Sequence, residues 1–186
     1  AAQVGDVETM ARVMSSGGKL DLDALVVRDG WVGAVTKEDL PNLRVTALYA
    51  ATTCKKEAAV RFLLDRGANP SIADSDGTKP LMKAAGMGLT PIMQLLVEAN
   101  ADIDAVDPTN GYTAFHKACY HNQPDCAEAL VRAGCDTTVR TKGDGETGRE
   151  VAERKENAAV LARLSEVAAE RMGERPAQTL AAKENS

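Results

Sequence analysis

His116, Cys119, His121 and Cys126 fall within eleven residues. Imidazole and thiolate are ligands that zinc takes, and zinc needs them to converge on one tetrahedral point. Other chemistries find less material. Gly86-Met87-Gly88 lies at the end of a helical pattern rather than after a strand, which is where a phosphate-binding loop belongs. No G-x-S-x-G occurs. Two histidines give little from which to assemble a nucleophile and its base. Asp74 and Asp76 sit in an Asp-Ser-Asp-Gly stretch and read as turn formers. Intrinsic catalysis is therefore not expected, and neither is a cofactor.

The elements that carry these residues recur. Thr46-Ala47-Leu48-Tyr49, Lys79-Pro80-Leu81-Met82, Thr113-Ala114-Phe115-His116 and Thr147-Gly148-Arg149-Glu150 follow one another at steps of 33, 34 and 34 residues. A second landmark trails the first: Arg66-Gly67-Ala68-Asn69, Ala99-Asn100-Ala101-Asp102 and Ala133-Gly134-Cys135-Asp136. Self-similarity at such a period marks a stacked repeat protein. Each unit touches only its neighbours, and the stack offers an extended surface whose usual work is holding another macromolecule.

Within the unit 41–73, Leu48, Ala51 and Thr52 recur at helical spacing, and Lys55-Lys56 ends that helix. Ala59, Val60, Leu63 and Leu64 mark a second helix that Gly67 stops. In 74–106, Pro80 opens the first helix, where its missing N–H is tolerated. Leu81, Ala84 and Ala85 line its core face; Ile92, Leu95 and Leu96 line that of the second helix, with Asn100 as the stop. In 107–140, Phe115, Ala118, Cys119, Cys126, Leu130 and Val131 are core, Thr113 caps the first helix, and the turn from Asp107 to Gly111 is one residue longer at its tip. The last unit, 141–172, carries Arg149, Glu150 and Glu153 where apolar or small residues stood before, as a C-terminal cap requires. Val151, Ala152, Val160, Leu161 and Leu164 keep one apolar face, and 173–186 reads as a polar tail.

The front end, about 1–20, matches the back part of a unit whose opening is missing, which points to a longer parent chain or a start that is disordered. Gly5 and Lys55 are corresponding positions 50 residues apart instead of 33, so about 17 residues are inserted. The insertion falls within 21–40 and reads as an inserted loop with net charge -3 and the lone Trp31.

Composition agrees with a thin helical stack. Of 186 residues, 44% are hydrophobic but 3% are aromatic, so the core is built from small side chains. With 22 basic and 27 acidic residues the net charge is -5, which gives no footprint for nucleic acid. No stretch approaches the length of a membrane span. No secretory leader pattern starts at Ala1, and Cys54, Cys119, Cys126 and Cys135 lie in or beside apolar helical patterns. They are expected to be buried thiols in a reducing compartment, and the protein to be intracellular, cytoplasmic and monomeric.

These residues resemble the ankyrin repeat. The best match is Gly111-Tyr112-Thr113-Ala114-Phe115-His116-Lys117-Ala118, similar to the family's G-x-T-P-L-H-x-A. The resemblance covers nearly the whole of 1–172 apart from the insertion. It implies an all-α solenoid of stacked helix-turn-helix units joined by β-hairpin turns, with a concave face of hairpin tips and inner helices. In the family, the Thr and His of the motif tie neighbouring units by hydrogen bonds. Thr113 and His116 preserve both here, whereas Tyr49, Met82 and Glu150 occupy the His position and Lys79 replaces one Thr. Those interfaces are expected to rest more on packing and the units to be less rigid than consensus ones, with Met87 and Met93 adding flexible contacts. The same register puts Cys119 and Cys126 in the core on two helices and His121 near a loop, so the four ligand types do not converge and no metal is expected.

Carried over position by position, the resemblance implies partner contacts at Ser75, Asp76, Thr78 and Met87 in one unit and at Thr109, Asn110, Tyr112, Tyr120 and His121 in the next. The tyrosines stand out because aromatic residues dominate interface hot spots. Trp31 either anchors a partner or folds the insertion down onto the first units. The function implied is a protein–protein interaction module. Two rivals remain open: a targeting or autoinhibitory segment of a larger enzyme or channel, and an inhibitor whose concave face covers an active site.

Overall fold

A computed structural model describes residues 25–28, 31–34 and 46–171. The front partial unit and the polar tail lie outside the described residues. Among the described residues, eight helices follow a short hairpin: α1 (Ala47–Thr53), α2 (Glu57–Asp65), α3 (Pro80–Gly86), α4 (Thr90–Glu98), α5 (Ala114–Tyr120), α6 (Pro124–Arg132), α7 (Gly148–Arg154) and α8 (Ala158–Arg171). They form four pairs. The odd-numbered inner helices pack in one row, α1 on α3, α3 on α5 and α5 on α7; the even-numbered outer helices pack in a second.

The inner row is possible because its contacts are small. Ala47, Ala51, Ala84, Ala85, Ala118 and Ala152 are each 0% exposed. Leu48, Leu81 and Phe115 fill equivalent places along the row. Phe115 is the largest of the three, and the next unit makes room for it: a Cβ on Gly148 would lie 2.5 Å from the Phe115 ring.

Each chain reversal uses a left-handed residue at the same place in each unit. After the second helix these are Gly67, Asn100 and Gly134, and in the hairpin they are Gly77, Gly111 and Gly145. Between the two helices they are Lys55, Gly88, Asn122 and Glu156. The following N–H then reaches back to an orphan carbonyl of the helix just ended, as in Ala68 to Leu63, Ala101 to Leu96 and Cys135 to Leu130 (3.1, 2.9 and 3.1 Å). Lys55 and Glu156 hold this conformation against the preference of their Cβ.

The helix starts repeat as well. The Thr46, Thr113 and Thr147 side chains accept from the backbone N–H groups of Tyr49, His116 and Glu150. Lys79 supplies no such cap, and Pro80 opens that helix. Glu150 does more than charge the surface: it accepts from the Thr147 N–H at 2.7 Å and completes a capping box.

The inter-unit hairpin turns are short: Asp74 N–H donates to Thr78 and Gly77 N–H to Asp74, Asp107 N–H to Tyr112 and Gly111 N–H to Asp107, and Thr141 N–H to Glu146. The longer turns have the extra residue at their tips. The structure changes three expectations. The stretch read as an inserted loop holds a two-stranded antiparallel hairpin, β1 (Leu25–Arg28) and β2 (Trp31–Ala34), with Arg28 paired to Trp31 and β1 lying against α1. Not all thiols are buried: Cys119 and Cys126 are, but Cys54 caps the exposed end of α1 and Cys135 is half-buried. In α4, Met93 rather than Leu95 is fully buried beside Ile92 and Leu96, because both neighbouring outer helices press on that side. Leu95 is half-buried.

Truncating Leu96 is therefore expected to open a cavity between α2, α4 and α6 and to cost about 2–5 kcal/mol. Leu95→Ala is expected to cost roughly 1 kcal/mol. Chemical denaturation of both variants checks this; equal losses would mean that the register of α4 is wrong.

Candidate functional site

His116 is the buried hinge between the third and fourth units. Its Nδ1 accepts from the Thr113 N–H at 3.3 Å, which leaves Nε2–H to donate to the Glu146 carbonyl of the next unit at 3.2 Å. Burial pulls the imidazole below its ordinary range, against the opposing effect of the Glu146 and Val139 carbonyls and the Glu146 carboxylate. His116 is thus a neutral structural donor. The same place in the first unit holds Tyr49, whose ionisation is pushed up by burial and then by a hydrogen bond to the Asp74 carboxylate of the next hairpin. That interface combines packing with a carboxylate of the next unit that acts on Tyr49. Met82, 1% exposed, is the position that rests on packing.

The predicted partner residues divide into two groups, one at the hairpin tips and one on the inner-helix face. Ser75 and Asp76 are exposed at the tip of one hairpin, with Thr78 half-buried below them; Thr109 is exposed and Asn110 half-buried at the next tip. Backbone bonds to the turn aspartates fix both: Asp76 and Thr78 N–H to Asp74 Oδ1 (3.1 and 2.8 Å), and Thr109 N–H to Asp107 Oδ1 (2.8 Å). A cleft of about 280 Å³ runs from the first tip to the inner helices and is lined by Asp76, Thr78, Met87, Lys83, Lys117 and His121, among others.

Beyond that cleft the surface continues as an aromatic and cationic patch. Tyr112 lies half-buried over His116, its ring 5.5 Å from the imidazole, and its N–H bonds Asn110 Oδ1. It is partly a structural residue. Tyr120, 37% exposed, is the open one. Its ring meets the His121 edge at 5.0 Å and carries the Lys155 ammonium at 4.3 Å. The Lys117 ammonium lies 5.2 Å from the Tyr112 ring and 3.3 Å from the buried Asp107 carboxylate. Burial alone would raise the Asp107 carboxyl; the Thr109 N–H, Lys117 and the Asn110 N–H outweigh it and hold it below the usual range. His121 is lowered by burial and then by Lys117, Lys83 and Lys155. Those three lysines went unread in the sequence, although two of them stand at matching inner-helix positions, 34 residues apart.

Trp31 opens β2, and its side chain lies outside the described residues. Cys119 and Cys126 are buried on α5 and α6, and both His116 ring nitrogens are occupied by protein groups. Burial pushes the Cys119 thiol up to about 12, with Cys135 adding to it. Among the described residues no three His, Cys, Asp or Glu side chains stand together as a metal site.

A family model described as "Ankyrin repeats (3 copies)" matches residues 48–141, just over half of the chain. The chain belongs to the ankyrin-repeat family. The ankyrin repeat and SAM domain-containing protein 6 of Rattus norvegicus is 40% identical over 72 residues, 39% of this chain and 8% of that protein. The ankyrin repeat and SOCS box protein 6 of Mus musculus is 31% identical over 114 residues, 61% of this chain and 27% of that one. A putative E3 ubiquitin-protein ligase, XBAT31, of Arabidopsis thaliana is 27% identical over 139 residues, 75% of this chain and 27% of its own length. The chain thus spans about a quarter or less of these relatives. Ankyrin repeats are in general protein-interaction modules, and no helix among the described residues is long and apolar enough to cross a membrane.

The depressed His116 imidazole has a consequence for stability. Above about pH 6.5 both folded and unfolded chains carry it neutral. As pH falls below that, the unfolded chain takes up a proton that the folded one resists, so stability is lost toward lower pH. His121 is shifted in the same direction. Denaturation midpoints measured from about pH 7 to pH 5 are expected to fall, and His116→Gln to flatten the slope. An unchanged slope would mean that His116 is not held neutral.

Proposed function

We propose that this ankyrin array binds another protein through its hairpin tips and inner-helix face, and that it performs no chemistry of its own. The supporting observation is Tyr120: a large aromatic side chain held open to solvent, backed on one side by His121 and on the other by Lys155, at a place where stacking has no use for it. Aromatic anchors of that kind carry a large share of interface energy. Ser75, Asp76, Thr78, Thr109 and Asn110 supply polar contacts at the rim, and Met87 an adaptable apolar one. Tyr112 acts from beneath, by fixing the patch against His116.

Four unpaired thiols, one of them exposed at Cys54, fit an intracellular protein. A second reading is favoured by the size of the relatives, which are several times longer than the stretch they share with this chain. There the array serves as the recognition segment of a larger protein whose chemistry lies in other domains.

Capture of partners from cell lysate by the wild-type chain and by Tyr120→Ala tests the surface. The variant is expected to weaken retention of a captured protein by more than about 1 kcal/mol. Its melting transition is expected to stay within about 0.5 kcal/mol of wild type. Full retention by Tyr120→Ala would move the binding surface away from the inner helices.

A further inference from the structure

The whole chain is acidic, at -5, yet its inner-helix face is not. Lys83 on α3 and Lys117 on α5 line one cleft with His121, and Lys155 just past α7 lies 4.3 Å over the Tyr120 ring, which itself meets the His121 ring at 5.0 Å. The packing is close there: a Cβ on Gly86 would lie 3.2 Å from the His121 ring and 3.6 Å from Lys117 Cβ. The cation row is therefore contiguous across three units.

Its counter-charges are incomplete. On the outer helices, Arg132 pairs with Glu128 and Glu170, and Arg163 with Asp125, Glu128 and Glu166. On the inner face Lys117 has Asp107, but Lys83 and Lys155 have no carboxylate partner among the described residues. Lys155 rests on the Tyr120 ring instead. A cation on an exposed aromatic face keeps most of its positive field outward, and the ring beside it offers area for an apolar or backbone contact.

We propose that this face takes an acidic segment of a partner protein, with its carboxylates against Lys83, Lys117 and Lys155 and its chain laid across Tyr120; the proposal rests on the interaction reading above. The same cleft is lined by Asp74 and Asp76 as well. Asp74 Oδ1 accepts from the turn N–H groups, whereas Asp76 is exposed at the tip. Asp76 repels a carboxylate, so the acidic stretch is held toward Lys117 and Lys155, and a neutral or basic end points to the hairpin tips. Charge of opposite sign at the two ends of one groove fixes direction and speeds encounter. A nucleic acid, negative along its whole length, meets Asp76 and the net charge of the chain unfavourably.

The test is selection of a random-peptide display library on the immobilised full chain, followed by affinity measurement of the enriched peptides. Asp- and Glu-rich peptides are expected. Their affinity is expected to fall roughly tenfold or more in Lys83→Glu/Lys155→Glu, and to weaken progressively as salt is raised. The milder Lys83→Gln/Lys155→Gln pair, with an unchanged melting transition, covers the case in which charge reversal disturbs folding. Enrichment of neutral or basic peptides that still need Tyr120 would overturn the acidic partner and leave the interaction surface standing. Peptides indifferent to both Tyr120 and the lysines would overturn both. Tighter binding of a single-stranded oligonucleotide than of any selected peptide would overturn the proposal in favour of a nucleic acid.

Discussion

Seven of the eight described helices are too short to exist alone. The inner ones have seven residues and three of the outer ones nine, against the roughly 12–15 at which an isolated helix becomes even marginal in water. Each of these depends on the pair beside it, and the architecture follows from that dependence. Backbones must approach closely, so alanines with no exposed surface line the inner row. Reversals must fall at the same height in each unit, so left-handed residues recur in register. Helix ends must be satisfied locally, so a threonine or a proline opens each inner helix. His116, a polar group carried through the interior of an interface, is kept neutral and bonded on both ring nitrogens.

What the sequence shows well is whatever this backbone demands of every unit. Thr46, Thr113 and Thr147, Gly67 and Gly134, and the alanines are legible because any other residue would cost something at that place. The harder features depend on neighbours. Helix α4 is apolar at positions 92, 93, 95, 96 and 97, so its own periodicity cannot choose between Met93 and Leu95; the flanking outer helices do. Lys55 and Glu156 give no hint of a left-handed backbone, and only their alignment with Gly88 and Asn122 reveals it. The influence of the Asp74 carboxylate on Tyr49 acts between residues 25 apart and looks like nothing in one dimension. The hairpin in the insertion was within reach: Asp29-Gly30 stands between Leu25-Val26-Val27 and Trp31-Val32, a strong short-range signal for two paired strands.

The candidate surface was half legible for a related reason. Tip residues are found by register alone, since they sit at fixed offsets from the threonine landmark. The cation row is not, because Lys83 and Lys117 are single charges inside otherwise apolar helices and Lys155 lies in a terminal helix pair thick with charge. Their meaning arises only when stacking brings three units to one histidine.

Stacking also settles how the surface is presented. The tips are bonded to one another as well as to their own helices: Lys142 N–H donates to the Asn110 carbonyl at 3.0 Å, and its ammonium to the Pro108 carbonyl at 2.7 Å. Farther from the tips, Asp136 N–H reaches Asp104 Oδ1 at 2.8 Å, and Asp102 N–H reaches Ser71 Oγ at 3.3 Å. A loop that is ordered before its partner arrives does not have to be ordered by it, which removes part of the cost of association. The same bonds that allow seven-residue helices to persist thus hold the hairpin tips in place, and stacking leaves Tyr120 open to solvent with Lys155 upon its ring.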